Sequence, residues 1–297
     1  MKYLAIAMVG LVLAGCGTLN MRHSNTSTPE GMVLIPAGTN SGTNPLSAGE
    51  SYSPGQYPSN YSLTVSAFYM DKDEVTKAQW DEVYNWAIKN GYSFGNAGLG
   101  KAANHPVHTV NWYDVVKWCN ARSEKEGKPV SYRVGGIVYR TGQTDEVTCA
   151  TNVAGYRLPT DVEWEYAARG GTSGWRFPWS DSDDIQHARA NYYSNSFFSD
   201  DTSPTRGYHP AYTNGVMPFT SPAGSFPPNG YGLFDMAGNV WEWCWDWHPK
   251  YVGSYRVARS GGWSGNAYLC RVAVRIIYYP NVANRVVGFR AVLPSVR

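Results

Sequence analysis

The chain has 297 residues, of which 16% are charged, and a formal net charge of +2. That length holds one large domain or two small ones, and no basic tract marks the chain for nucleic acid. With 12 Trp, 22 Tyr and 31 Gly and few helical runs, the composition excludes a helical bundle and suggests a loop-rich fold.

Residues 1–15 read as a signal peptide. Lys2 supplies the positive charge, and the apolar run from Tyr3 to Leu13 is too short to span a bilayer comfortably. Leu13-Ala14-Gly15-Cys16 looks like a bacterial lipobox, with Cys16 the lipidated first residue of the mature chain. The alternative is an ordinary signal peptide that happens to contain a cysteine. Residues 16–30 are polar and read as a tether, so the expected location is extracytoplasmic, anchored to a bacterial membrane through lipid without a spanning helix. Four cysteines remain, Cys119, Cys149, Cys244 and Cys270. They allow three full pairings, and their spacings form no zinc pattern.

Gly31 to Gly38 reads as a first strand and Ala67 to Met70 as another. Thr76 opens a helix with Gln79 as its capping-box partner, and Trp80, Val83, Tyr84, Ala87 and Ile88 form its apolar face. A second helix starts near Asn111, buries Trp112, Val115, Val116 and Cys119, and stops at Gly127. A third, short helix runs from Thr160, with Glu163 completing its capping box, to Gly170-Gly171. Residues 172–230 are rich in Ser, Asp, Pro, Gly and Tyr. So long an irregular stretch is either functional or scaffolded by ions. His105 and His108 flank Pro106-Val107 in a loop and read as structural; Glu163 and Glu165 read as partners of buried arginines.

The run from Gly155 to Gly171 (GYRLPTDVEWEYAARGG), Phe177-Pro178-Trp179, the run from Pro227 to Trp243 (PPNGYGLFDMAGNVWEW) and the closing Gly288-Phe289-Arg290 resemble the signature of the formylglycine-generating-enzyme (sulfatase-modifying factor) family. The resemblance runs in order from about residue 31 to 297. It implies one α+β domain with a C-type-lectin-like fold: two main helices, small antiparallel sheets, long loops, and termini brought together by strand pairing. The family's enzymes oxidise a substrate cysteine with copper held by two cysteines five positions apart, and thiolates suit cuprous ion. Here Cys270 stands in that segment, but position 265 is Gly and position 275 is Arg. The expectation is therefore no catalytic residues, no catalytic cofactor and no enzyme. By motif position, Asp235 and Glu242 match carboxylates, and Gly238 and Val240 carbonyls, of a family calcium site, so structural calcium is expected. The alternative is that Glu242 pairs with an arginine and no ion is bound.

The segment from about 259 to 290 carries a second resemblance, to the variable proteins of diversity-generating retroelements, most closely that of Treponema. These carry a lectin-type domain whose last part is rewritten at template adenines. Randomised Asn codons of the AAC type cannot give Lys, Gln, Glu, Met or Trp, and none of these occurs from Ser264 to Val287. Under this resemblance the ligand-binding, solvent-facing set is Ser264, Gly265, Asn266, Tyr268, Leu269, Val274, Ile276, Ile277, Tyr278, Tyr279, Asn281, Val282, Asn284, Arg285 and Val286. Arg271 and Arg275 would bond scaffold carboxylates or carbonyls. The alternative is that Ile276 and Ile277 are core, since an adjacent pair on a strand points both ways. The expected function is surface display with binding of variable, protein ligands on another cell or host. The alternatives are an oxidase of the resembled family or a structural lipoprotein.

Overall fold

The computed structural model describes residues 28–47 and 49–295; Cys16 and the residues read as a signal peptide, 1–15, lie outside the described residues. Strands β1 (Met32–Ile35), β2 (Gly38–Thr43), β3 (Asn60–Val65) and β4 (Phe68–Asp71) precede helix α1 (Lys77–Lys89) and helix α2 (Trp112–Lys125). Short strands β5 (Tyr132–Val134), β6 (Ile137–Val138) and β7 (Thr148–Cys149) lead to helix α3 (Asp161–Ala168). After a long irregular stretch come β8 (Trp241–Trp247), β9 (Arg256–Arg259), β10 (Ile276–Tyr278), β11 (Val287–Gly288) and β12 (Val292–Pro294). The fold is α+β, three helices among small, mostly antiparallel sheets.

Helix formation follows the caps. Thr76 and Thr160 each accept from the backbone at the third helical position, where Gln79 and Glu163 reach back to complete capping boxes. Asn111 caps α2 by accepting from the Asp114 amide at 2.9 Å. Helix α1 buries Trp80, Val83 and Ala87, but Ile88, expected on that face, is 47% exposed because the apolar stripe is narrower than the sequence suggested. The largest core cluster joins α1 to α2. The Trp80 and Trp118 rings stack at 5.9 Å, and Phe289, next to the C-terminal strand, meets both edge to face.

The first and last strands are brought into one sheet, though not by direct pairing. β1 and β12 lie on opposite sides of β4, in register Met32↔Asp71 and Val292↔Met70. The sheet that carries the C-terminal segment has the order β10-β9-β8-β11, with β10 at one edge. Among the described residues, none of the helices or named strands falls between Ala168 and Trp241. That stretch is held by side chains instead. Asp201 accepts from the Tyr192 hydroxyl (2.7 Å), the Ser194 hydroxyl (2.8 Å) and the Asn195 amide (2.8 Å). No helix among the described residues is long and apolar enough to cross a membrane.

Candidate functional site

The segment after β9 is fixed by glycine geometry and by buried arginines. Gly261 sits at φ +83°, where a Cβ would lie 2.7 Å from the Cys270 sulfur, so the close approach itself excludes a side chain. Arg271, fully buried, grips Glu50 with two nitrogens (2.7 and 2.8 Å) and Asp200 at 2.9 Å. Arg275 faces Asp161 at 3.3 Å and Glu165 at 3.5 Å, where Arg259 also meets Asp161 (2.5 Å) and Glu165 (2.9 Å). Burial alone would raise the Asp161 carboxyl, but Arg259 and Arg275 outweigh it and hold the group below its usual range. Glu165 further pairs with Arg169 at 2.7 Å, and Glu163 with Arg157 at 2.7 Å. These are the arginine pairings expected of both glutamates and of both segment arginines.

Four of the fifteen expected surface residues, Ser264, Tyr279, Asn281 and Arg285, are exposed. Nine are half-buried: Asn266, Tyr268, Leu269, Ile276, Ile277, Tyr278, Val282, Asn284 and Val286. Two do not face solvent, and the expectation is corrected for them. Val274 is fully buried in the main core, its amide turned back to the Arg271 carbonyl at 3.0 Å. Gly265 is buried, its amide donating to the Gly262 carbonyl at 2.8 Å and its carbonyl accepting from the Tyr193 amide at 2.8 Å. Ile276 and Tyr278 pack against the core from one side of β10, which grants part of the core alternative for the isoleucine pair. The Tyr279 hydroxyl accepts from that of Tyr255 at 2.7 Å. Tyr268 lies between Tyr57 and Phe198, with ring centres at 5.7 and 6.0 Å.

The far end of the segment walls a cleft of about 750 Å³. Asn284, Arg285 and Val286 form one side, and Leu99, His108, Thr109, Met217 and Trp263 are among the residues that face them. Two hydrogen bonds fix the wall: the Thr109 amide to the Asn284 carbonyl (2.8 Å) and Trp263 Nε1 to the Arg285 carbonyl (3.2 Å). Thr109 sits at φ +58°, an uncommon conformation for a β-branched residue and a form of strain that collects at functional sites. Burial, helped by the Arg285 charge, pushes His108 down to about 4, so its ring is neutral at physiological pH. Its Nδ1 lies 2.9 Å from the Thr109 hydroxyl, while Nε2 is buried without a partner. Arg285 has no carboxylate in ion-pair range among the described residues and stands exposed at the rim. His108, read from the sequence as structural, is buried beside Thr109; Leu99, Thr109, Met217 and Trp263 carry no sequence signal that places them around this cleft.

The residues suggested for calcium do not fit the ion as arranged. Both Glu242 oxygens accept from Arg290 at 2.7 Å, and one also accepts from Trp164 Nε1 at 2.7 Å. The Gly238 carbonyl accepts from the Ser260 hydroxyl at 3.2 Å. A hard cation wants six to eight oxygens, and the guanidinium already occupies the cation's role beside Glu242. Val240 donates its amide to Glu74 at 3.1 Å. Asp235 keeps one oxygen without a partner, and burial pushes its carboxyl up to about 7 against the Gly224 amide and Arg290. Among the described residues there is no group of three or more His, Cys, Asp or Glu placed to hold a metal.

With this geometry in view, comparison with known proteins is decisive for the family. Residues 18–294 match the sulfatase-modifying factor enzyme 1-like domain. The chain belongs to the sulfatase-modifying factor family. It is 32% identical over 278 residues to the chaperone protein LppX of Paenibacillus barcinonensis, covering 88% of each chain. It is 38% identical over 230 residues to the inactive C-alpha-formylglycine-generating enzyme 2 of Bos taurus, covering 75% of this chain and 71% of that one. Among solved structures it resembles Treponema denticola variable protein 1, with a TM-score of 0.64, 28% identity, and 88% and 94% of the two chains covered. The family thus includes a member named inactive, and the fold is shared with a variable protein.

The four described cysteines are free thiols. Cys270 is fully buried, and that burial pushes its thiol up, away from the reactive thiolate form. Gly265, five residues before it, supplies no sulfur.

Proposed function

We propose that this protein is a lipid-anchored, surface-displayed binding protein without turnover, whose 264–287 segment takes a variable, protein ligand and is diversified by a retroelement. One observation carries the reading. Thirteen of the fifteen candidate side chains (four exposed, nine half-buried) reach the surface from a segment pinned by the ion pairs of Arg271 and Arg275 with buried carboxylates. Such a frame lets side chains change without refolding, as loops do on a rigid scaffold. The cleft at Arg285, with apolar walls and an unpaired cation at its rim, fits a protein surface that presents an aliphatic or aromatic group beside an acid. Attachment through Cys16 keeps that surface outside the cell.

The direct test is the neighbouring DNA. A near-copy of the coding segment for 264–287, differing only at adenines and lying beside a reverse-transcriptase gene, is expected; a genome without such a repeat removes diversification from the reading. Turnover is tested separately, by incubating the protein with a cysteine-containing peptide, copper and oxygen. No aldehyde product is expected, and its appearance would restore the oxidase.

A further inference from the structure

The chain enters the domain beside the last turn of α2. Thr28, Glu30 and Gly31 are exposed, and the Gly31 carbonyl accepts from the Lys72 amide at 3.0 Å. Pro29, Glu30 and Gly31 share a cleft of about 490 Å³ with Arg122, Lys125 and Glu126. Arg122 ties this end together. It bonds Asp71 at 3.0 Å and Glu126 at 3.2 Å, and its guanidinium lies over the Tyr156 ring at 3.9 Å. The 264–287 segment meets the other end of the same helix. The Trp112 amide, in the first turn of α2, donates to the Pro280 carbonyl at 3.0 Å, and the Thr109 amide donates to the Asn284 carbonyl at 2.8 Å. From Trp112 to Lys125 the helix rises about 20 Å.

The charges around the cleft balance. Glu30, Glu82 and Glu126 stand against Arg122, Lys125 and Lys128. Lys125 pairs with Glu82 at 2.6 Å and Lys128 with Glu126 at 3.1 Å. Val83, Trp118 and Tyr156, which also line it, are buried. Such a face presents no large apolar side chain for acyl chains and no excess of cations for anionic lipid; it matches a headgroup layer that carries both signs of charge. Chain length then limits how the domain can stand. The twelve links from Cys16 to Thr28 span at most about 43 Å in any conformation. A globule of this size is about 47 Å across, so the path over its surface to the far pole is about 70 Å. A lipid on Cys16 therefore cannot lie behind the domain.

We propose that the face around Glu30 and the last turn of α2 rests on zwitterionic phospholipid headgroups, with α2 as a strut that carries residues 280–286 away from the membrane. This rests on the reading of Cys16 as lipidated.

The test uses the full-length lipoprotein in phosphatidylcholine vesicles that carry a nitroxide quencher on some headgroups. A fluorophore is placed on Glu82→Cys or on Asn281→Cys, and far-UV circular dichroism confirms the fold of each. Labelled wild type supplies the background from its own thiols. Position 82 is expected to lose most of its emission, and position 281 none above background. Replacing part of the lipid by phosphatidylglycerol leaves both values as they were. Flotation keeps the two readings apart. Wild type that floats with the vesicles while Cys16→Ala does not establishes the anchor. With the anchor established, equal quenching at the two positions, stronger quenching at 281, or quenching at 82 only with phosphatidylglycerol overturns the proposal. Wild type that fails to float removes the anchor itself, and the proposal with it.

Discussion

Arg271→Ala is the sharpest test of the division between a fixed frame and a free surface. The wild-type guanidinium is fully buried and bonds two carboxylates, Glu50 and Asp200, that are themselves 12% and 4% exposed. Removing the cation leaves two poorly solvated anions facing each other through Ser47, whose hydroxyl donates to Asp200 at 2.9 Å. Breaking a buried pair from one side costs about 3–5 kcal/mol. For a domain of this size that lowers Tm by about 6–20 °C. Arg271→Lys keeps the charge but not the bidentate fork, and is expected to fall between the two. The control is the triple variant Ser264→Ala, Asn281→Ala, Arg285→Ala, on three exposed positions of the same segment. Each change is worth about 0.5 kcal/mol or less, so the triple stays within about 1.5 kcal/mol of wild type. Urea denaturation followed by circular dichroism measures both. If the triple variant loses as much as Arg271→Ala, or if Arg271→Ala loses less than about 1 kcal/mol, the segment is not a free surface on a fixed frame.

Acid should weaken the fold through His108. Its folded value of about 4 lies below the unfolded value of 6.5, so its contribution is fully present above pH 6.5 and is lost as pH falls through that window towards 4. The loss reaches about 3 kcal/mol, and His108→Gln should flatten that part of the pH–stability curve measured by urea titration; an unchanged slope refutes the assignment. Gly261→Ala combines a left-handed backbone with a Cβ 2.7 Å from the Cys270 sulfur and 3.0 Å from the Leu269 carbonyl. A loss of about 2–4 kcal/mol is expected, only partly recovered by adding Cys270→Ala, and full tolerance of the alanine would show that the approach is looser than described. Because Arg290 already neutralises Glu242, a calcium chelator should leave Tm within about 1 °C. A drop of many degrees would return the ion to Asp235 and its neighbours.

The sequence announced what local chemistry decides. Thr76 with Gln79, and Thr160 with Glu163, are complete helix starts in themselves, and both capping boxes form. Glu165 could be foreseen as an arginine partner because a carboxylate in so apolar a helix needs one. The 264–287 segment is harder to read, since irregular chain has no period from which to infer side-chain direction. Val274 turns inward only because the chain folds back onto the Arg271 carbonyl, a turn that its residue types do not mark. The Arg285 cleft was invisible for a different reason. It is assembled from four separate stretches around Leu99–Thr109, Met217, Trp263 and Asn284–Val286, and its strained corner is a threonine where a left-handed residue would usually be Gly or Asn.

The arginines explain how one segment can be both pinned and free. Arg259 and Arg275 read Asp161 and Glu165 on α3, Arg271 reads Glu50 and Asp200 in two loops, and Arg290 reads Glu242 on β8. Buried ion pairs add little net stability, because desolvation offsets most of the attraction. A wrong backbone path, however, would strand several charges at once, at about 3–5 kcal/mol each. The pairs therefore act mainly by excluding alternative paths for residues 259–290. The residues between them, such as Asn281 and Arg285, carry almost none of that restriction. Their side chains can therefore change without disturbing the path of the backbone.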